Sequence, residues 1–283
     1  MLMQSENLAK TSAETPSEQA DRLFEVFCTP EPLTEAAEKS MARVEERLSA
    51  AEAFRVPFQG GELQAYRFTG AGRGTVVLLH GWTGRAAVMT AFVEPLLAEG
   101  FDVVALDFPA HGRSDGDRLN VPLGVGALHA LHAATGPWHG VIAHSFGGAV
   151  AFSALSDMVG DLPSLSYGRL ALIAAPCSMP RVFDNFARRH EMSPEATLHL
   201  KSHVKRLTGH PVEAFMGDEV LRQHPIPTLI LHAPEDQEVL FLSAEAYASA
   251  GDHVTLHPLP GLGHRRILYA KDTVQAAVDF MAQ

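Results

Sequence analysis

The residues best placed to do chemistry lie in the pentapeptide Ala143-His144-Ser145-Phe146-Gly147. It closes an apolar run that is typical of a buried strand and opens a segment of small residues that is typical of a tightly packed helix. A serine held at a sharp strand-to-helix turn projects its hydroxyl out of the sheet, and only small residues fit two positions before and after it. The pattern is G-x-S-x-G with Ala143 in place of the first glycine, and it predicts Ser145 as a nucleophile.

Such a serine needs a base that takes its proton and a third group that orients the base. In folds built around this turn the partners follow in the order serine, acid, histidine. The histidine candidate is His264, in a glycine-rich loop after the last predicted strand. The acid candidate is Asp236, and Glu235 and Glu238 are its rivals in the same polar loop. Each candidate follows the carboxyl end of a predicted strand, the edge where open α/β sheets place their sites.

The tetrahedral intermediate of such chemistry carries an oxyanion, which preorganised donors must stabilise. In folds of this kind one donor is the N–H that follows the nucleophile, here that of Phe146. The second donor comes from the loop after an early strand, and the apolar run at 75–79 leads into His80-Gly81-Trp82. The N–H of Trp82 is therefore the second predicted donor.

Five motifs together resemble those of the α/β-hydrolase family, and the resemblance runs from about Ala53 to Phe280. In chain order they are His80-Gly81-Trp82, the loop from Asp107 to Asp115, His144-Ser145-Phe146-Gly147-Gly148, the loop from Asp236 to Val239, and Gly263-His264. The second motif is similar to the family's D-x-P-G-x-G-x-S-D, with Ala110 in place of a glycine. The position of Asp236, three residues before Val239, matches the family pattern and favours it over its two rivals.

The resemblance and the alternation of strand and helix patterns predict one fold: an α/β-hydrolase fold with a mainly parallel eight-stranded sheet flanked by helices. Strands are predicted at 52–58, 62–68, 74–80, 102–107, 140–144, 169–174, 228–232 and 253–259. Helices are predicted at 86–99, 121–135, 146–158, 242–250 and 270–281. The predicted α/β-hydrolase domain covers residues 51–283.

Two segments are predicted to lie outside this core. Residues 1–50 form a polar, helical N-terminal extension, with two helices broken at Pro30 and Pro32, and we expect it on the flank of the core or in an oligomer contact. Residues at about 177–226 form a helical cap insertion, as the resemblance implies. Its residues Met179, Phe183 and Phe186 are predicted to bind substrate together with Trp82, and the alternative is that they only pack the cap against the core.

Composition limits the classes of partner. A hydrophobic content of 46% in 283 residues predicts a globular protein, and a net charge of −11 argues against nucleic acid and anionic membrane surfaces. No apolar run has the ~18 residues of a membrane span, and no secretory signal is visible. Two distant cysteines, Cys28 and Cys177, suit reduced thiols and a cytoplasmic location. The expected partner is a small-molecule ester-type substrate, and the oligomeric state is left open between a monomer and a homo-oligomer.

The histidine pair His199 and His203 has the i, i+4 spacing of a zinc site, but no glutamate follows the first histidine and no third ligand is evident. We therefore predict no metal and no cofactor. The function predicted from Ser145, Asp236 and His264 is that of a serine hydrolase that cleaves a carboxylic ester or thioester through an acyl-enzyme. The alternatives are a non-catalytic protein that binds a small molecule in the same fold, or an acyltransferase or carbon–carbon hydrolase of that fold.

Overall fold

The computed structural model describes residues 14–32 and 34–283. One sheet of eight strands forms its centre, in the spatial order β1-β2-β4-β3-β5-β6-β7-β8. The strands are β1 (Glu52–Phe58), β2 (Gly61–Phe68), β3 (Thr75–Leu79), β4 (Asp102–Leu106), β5 (Gly140–His144), β6 (Leu170–Ile173), β7 (Thr228–His232) and β8 (Val254–Pro258). β1, β2 and β4 pair antiparallel, and every pair from β4 to β8 is parallel. The predicted eight-stranded, mainly parallel sheet is confirmed.

Helices cover both faces of this sheet. They are α1 (Pro16–Cys28), α2 (Glu35–Glu45), α3 (Val93–Ala98), α4 (Val121–Thr135), α5 (Phe146–Ala154), α6 (Met179–Arg189), α7 (Pro194–Thr208), α8 (Gly217–Gln223), α9 (Leu242–Ala248), α10 (Gly263–Arg266) and α11 (Lys271–Ala282). The central strands are buried on both sides, as their continuous apolar runs predict, and one core cluster lies on each face of the sheet.

Three predicted helices are shorter than the sequence pattern indicated, and one of them, α9, ends at Ala248 rather than 250. The segment predicted as one helix at 86–99 is a 3₁₀ helix at Ala86–Phe92 followed by α3. Its first N–H, on Ala86, donates to the buried carboxylate of Asp107 at 2.6 Å, so a tertiary contact fixes this turn. Helix α5 ends at Ala154 rather than 158, where the Ser156 hydroxyl donates to the carbonyl of Ser153 and competes with helical hydrogen bonding.

Helices α1, α6 and α7, which we call the cap layer, lie over the carboxyl edge of the sheet. α1 packs against α7, and α7 packs against α6. Helix α1 begins with a capping box, in which Thr15 and Glu18 satisfy each other's backbone N–H groups. The sequence predicts the N-terminal extension on the flank of the core or in an oligomer contact. Its second helix, α2, packs on the 3₁₀ helix Ala86–Phe92 of the core, and its first helix lies on the insertion between β6 and β7. Residues 1–13 of this extension lie outside the described residues.

Candidate active site

Ser145 lies at the tight turn between β5 and α5. Its backbone has φ 50° and ψ −119°, a strained conformation that costs about 1–3 kcal/mol and persists only where the surroundings impose it. Its N–H donates to the carbonyl of Ile173 at 2.9 Å, which holds the turn against β6. The side chain is half-buried and faces a cavity.

The small residues around this turn are required by close backbone approach. A Cβ on Gly147 would come within 2.6 Å of the carbonyl oxygen of His80, and one on Gly81 would come within 2.9 Å of Ser145 Cβ. The loop after β3 therefore touches the nucleophile turn directly. The rings of Trp82 and Phe146 pack edge to face with centroids 5.4 Å apart, so the two predicted oxyanion donors belong to neighbouring residues in space.

His264, at the start of the short helix α10, joins Ser145 to Asp236. Its Nε2 lies 3.0 Å from Ser145 Oγ, and its Nδ1 lies 2.7 Å from Asp236 Oδ2. A carboxylate only accepts hydrogen bonds, so Nδ1 carries the proton and Nε2 is the lone pair that accepts the serine hydroxyl. In the chain His264 lies 28 positions from Asp236 and 119 positions from Ser145. The three side chains meet at the carboxyl edge of the sheet.

Asp236 is fully buried and uses both carboxylate oxygens. Oδ1 accepts the N–H groups of Glu238 at 2.8 Å and Val239 at 2.9 Å, which leaves Oδ2 for His264. Burial alone would raise the pKa of this carboxyl, but the hydrogen bonds from His264, Val239 and Glu238 lower the pKa below its ordinary value. The group is therefore an anion that holds one tautomer of the imidazole.

The two rival carboxylates have other partners. Glu235 accepts the N–H of Gly263 at 3.3 Å, and Glu238 accepts Arg265 at 3.1 Å. Glu238 approaches only the Nε2 side of His264, at 4.0 Å, and its side chain is half exposed. Neither carboxylate reaches Nδ1, so the geometry favours Asp236 among the three acids in this loop.

Two buried, neutral histidines form hydrogen bonds to the backbone around this site. His144 is buried, and its Nε2–H donates to the carbonyl of His264 at 3.0 Å. Burial and the neighbouring His264 lower the pKa of His144 to about 3, so it is uncharged at neutral pH. His80 accepts the N–H of Phe108 at Nε2, and burial lowers its pKa well below the ordinary value. Both imidazoles therefore brace the backbone of the site as neutral groups.

The loop from Asp107 to Asp115 braces the same edge. Asp107 accepts the N–H groups of Ala86 at 2.6 Å and Arg113 at 2.9 Å, and Asp115 accepts the N–H of Glu62 at 2.9 Å. Burial raises the pKa of Asp107 above its ordinary value, and these N–H donors oppose the rise. Ala110, at the position where the family motif has glycine, has φ 61°. The loop therefore keeps the turn of the motif despite the added methyl group.

A cavity of about 710 Å³ opens at Ser145, a size within the usual range for small-molecule sites. The predicted substrate-binding residues Trp82, Met179, Phe183 and Phe186 all line it. Three residues of α1, which no sequence motif placed there, also line it: Phe24, Val26 and Phe27. The pattern of α1 predicted a helix, but no motif indicated where the helix would pack.

The histidine pair considered as a zinc site is not gathered with other ligands. His203 lies 2.8 Å from Asp21 of α1 and stacks on Phe24 with ring centroids 4.2 Å apart. Within residues 14–32 and 34–283, no group of three or more His, Cys, Asp or Glu side chains is arranged to hold a metal ion. No helix in that part of the chain is long and apolar enough to cross a membrane.

Comparison with known proteins is consistent with this fold. Residues 76–277 match the Alpha/beta hydrolase family, and the chain belongs to that family. A serine hydrolase-like protein of Danio rerio is 34% identical over 149 residues, which cover 49% of this chain and 44% of that protein. The chain thus spans less than half the length of that relative.

Solved structures share the same architecture. A thermophilic esterase from Thermogutta terrifontis has a TM-score of 0.62 at 20% identity, covering 83% of this chain and 92% of its own. An esterase from Exiguobacterium antarcticum has a TM-score of 0.62 at 15% identity, covering 82% of this chain and 100% of its own. At these identities the likeness shows the fold alone.

Proposed function

We propose that this protein is a serine hydrolase that cleaves a carboxylic ester or thioester through an acyl-enzyme intermediate. The observation that supports it best is the continuous chain of contacts from Ser145 Oγ through His264 to Asp236, at 3.0 Å and 2.7 Å. Nucleophile, base and orienting acid within hydrogen-bond distance are what activation of a serine hydroxyl requires.

In the proposed reaction His264 Nε2 takes the proton of Ser145 as its Oγ attacks the substrate carbonyl carbon. The N–H groups of Phe146 and Trp82 stabilise the oxyanion that forms. His264 then passes the proton to the departing alcohol or thiol, and the acyl group stays on Ser145. A water molecule then attacks the acyl-enzyme while the same Nε2 takes its proton, and His264 returns that proton to Ser145 Oγ as the carboxylic acid leaves. Asp236 stabilises the imidazolium throughout.

The two cysteines support a cytoplasmic location as part of the proposal. Cys28 and Cys177 are both buried free thiols, and burial raises the pKa of Cys28 to about 11. Reduced, unreactive thiols of this kind are typical of proteins that work in a reducing compartment.

The test is covalent labelling of the purified protein with a fluorophosphonate probe, which reports an activated serine without knowledge of the substrate. We expect labelling of the wild type and none of Ser145→Ala, with ester turnover reduced roughly 10⁴- to 10⁶-fold in that variant. The matched control is Ser153→Ala on α5, because Ser153 Oγ is buried away from the cavity and has no hydrogen-bond partner among the described residues. It should be labelled like the wild type.

Absence of labelling in a folded wild type would reject the proposal in favour of a binding protein with the same fold. Labelling without hydrolysis of any ester or thioester would favour the acyltransferase or carbon–carbon hydrolase alternatives. Circular dichroism of each variant separates these results from simple unfolding.

A further inference from the structure

Helix α1 contributes an aromatic wall to the cavity that contains Ser145. Phe27 packs on two cap residues that line the same cavity, with ring centroids 4.6 Å from Phe183 and 5.0 Å from Phe186. Phe24, one turn earlier, stacks on His203 of α7. The aromatic wall therefore joins α1 to α6 and α7 of the insertion.

The position of α1 is fixed at both sides of the cavity. At its carboxyl end, the N–H of Leu119 donates to the carbonyl of Cys28 at 2.7 Å, which ties α1 to the loop before α4. Arg118 in that loop pairs with Glu25 at 3.2 Å. On the other side Asp21 lies 2.8 Å from His203 of α7. α1 thus bridges the core and the insertion. These contacts on both sides hold the helix that carries Phe27 in place.

The lining of the cavity is mostly apolar, although Asn120, Asn185 and His190 also belong to it. The charged side chains that line it are all exposed: Glu31, Arg189, Glu238 and Arg265. Met179, Phe183 and Phe215 are apolar and buried. An apolar chain suits the space beside these three residues, because a polar group there would lose water without gaining a partner.

We propose that α1 is a specificity element: Phe27 forms part of the wall on which the apolar acyl chain of the substrate packs when its carbonyl lies at Ser145. This rests on the proposed function and names its substrate class, esters or thioesters of carboxylic acids with an apolar chain. Phe27 acts on the choice of acyl chain and not on the chemistry at Ser145. Its effect therefore grows with chain length.

The test compares kcat/KM for p-nitrophenyl acetate, butanoate, octanoate and decanoate. In the wild type each methylene that becomes buried should raise kcat/KM about fourfold. In Phe27→Ala the acetate should be hydrolysed within about twofold of the wild type, and the octanoate about tenfold more slowly through a higher KM, the equivalent of between one and two fewer buried methylenes. Phe27→Leu should lie between the two.

Phe54→Ala is the matched control, because Phe54 is also a half-buried phenylalanine but lies on β1, against Arg67 and outside the cavity. Its ratio of octanoate to acetate hydrolysis should equal that of the wild type. An equal loss at every chain length in Phe27→Ala, or no loss at all, would overturn the inference.

Two further readouts separate this inference from the proposed function. Octanoic acid should bind the wild type, by calorimetry, about tenfold more tightly than it binds Phe27→Ala, whether or not an ester is turned over. A fluorophosphonate that carries only short alkyl groups on phosphorus should label Phe27→Ala at the wild-type rate, for the same reason that both proteins should hydrolyse the acetate ester alike. Normal labelling without chain-length discrimination would reject the inference alone, and absence of labelling with discriminating octanoate binding would reject the proposed function alone.

Discussion

The carboxyl edge of the sheet and the cap layer above it are held together by different interactions. At the sheet edge, buried polar groups satisfy one another: Asp236 has three donors, and His144 holds the backbone of His264. In the cap layer, aromatic rings pack between α1, α6 and α7, and the polar contacts, such as Asp21 with His203, lie at its exposed rim.

Hydrogen bonds between buried groups are directional and permit one arrangement, whereas apolar packing tolerates exchange of side chains of similar volume. In the proposed enzyme, positioning of the reacting groups and shaping of the cavity therefore belong to separate regions. The edge fixes the positions of the reacting groups, and the cap layer determines the shape of the space beside them.

The largest predicted effect is a loss of kcat on substitution at the carboxyl edge of the sheet. Asp236→Asn should lower kcat about 10⁴-fold, because a neutral amide neither fixes the Nδ1–H tautomer nor stabilises the imidazolium. Glu235→Gln is the matched control in the same loop, since its amide oxygen still accepts the N–H of Gly263, and kcat should change less than about threefold. The measurement is steady-state kinetics with any ester that the protein hydrolyses. Equal losses of kcat in the two variants would contradict the assignment of Asp236 as the acid.

The second prediction concerns acid stability. Burial lowers the pKa of four histidines at the edge, His80, His111, His144 and His232, below the ordinary value. Above about pH 6.5 neither the folded nor the unfolded chain protonates them, so they do not change the free energy of unfolding. As pH falls below that value the unfolded chain binds protons that the folded chain does not, and stability falls by up to about 1.4 kcal/mol per pH unit for each histidine.

The measurement is the free energy of unfolding in urea at pH 7.5, 6.0 and 5.0. Between pH 6.0 and 5.0 the free energy of unfolding of His144→Gln should fall by about 1 kcal/mol less than that of the wild type. The reason is that the pKa of His144 in the folded chain is about 3, so only the unfolded wild type binds a proton at this residue in that range. His257→Gln is the control, since that side chain is exposed, and it should follow the wild type. Identical pH dependence of all three proteins would show that His144 does not belong to a buried neutral network.

The smallest predicted effect lies in the cap layer. Asp21→Asn should lower the free energy of unfolding by less than about 1 kcal/mol, because an ion pair at an exposed rim contributes little. The Asp21 side chain is 62% exposed, whereas the Phe24 residue beside it is 8% exposed. Thermal unfolding of Asp21→Asn and Phe24→Ala compares the two directly. A loss in Asp21→Asn as large as that in Phe24→Ala would mean that charge rather than apolar packing holds α1.

The same contrast explains what the sequence could predict. The bounds of β1, β5 and β7 match their predicted ranges, because apolar runs between turn residues are local patterns. The candidate triad could be selected because each member follows a strand end, where a short motif constrains the backbone. Ser145, His264 and Asp236 then meet because parallel strands bring their carboxyl ends to one edge.

The cap layer lacks such local patterns. The spacing of Leu23, Val26 and Phe27 indicates a helix, and it does not indicate that the helix packs on α7. That contact depends on side chains about 180 residues away, such as His203, and on packing that many apolar residues satisfy equally. The 3₁₀ helix at Ala86–Phe92 was missed for a related reason, since a distant carboxylate, Asp107, fixes its first turn.

The placement of α1 has a consequence for how the lining of the cavity can change. Helix α1 lies outside the sheet, so substitutions on it leave the hydrogen bonds between strands intact. It contributes Phe24 and Phe27 to the lining. The shape of the cavity can therefore be altered from α1 while the strands that precede Ser145, Asp236 and His264 keep their register.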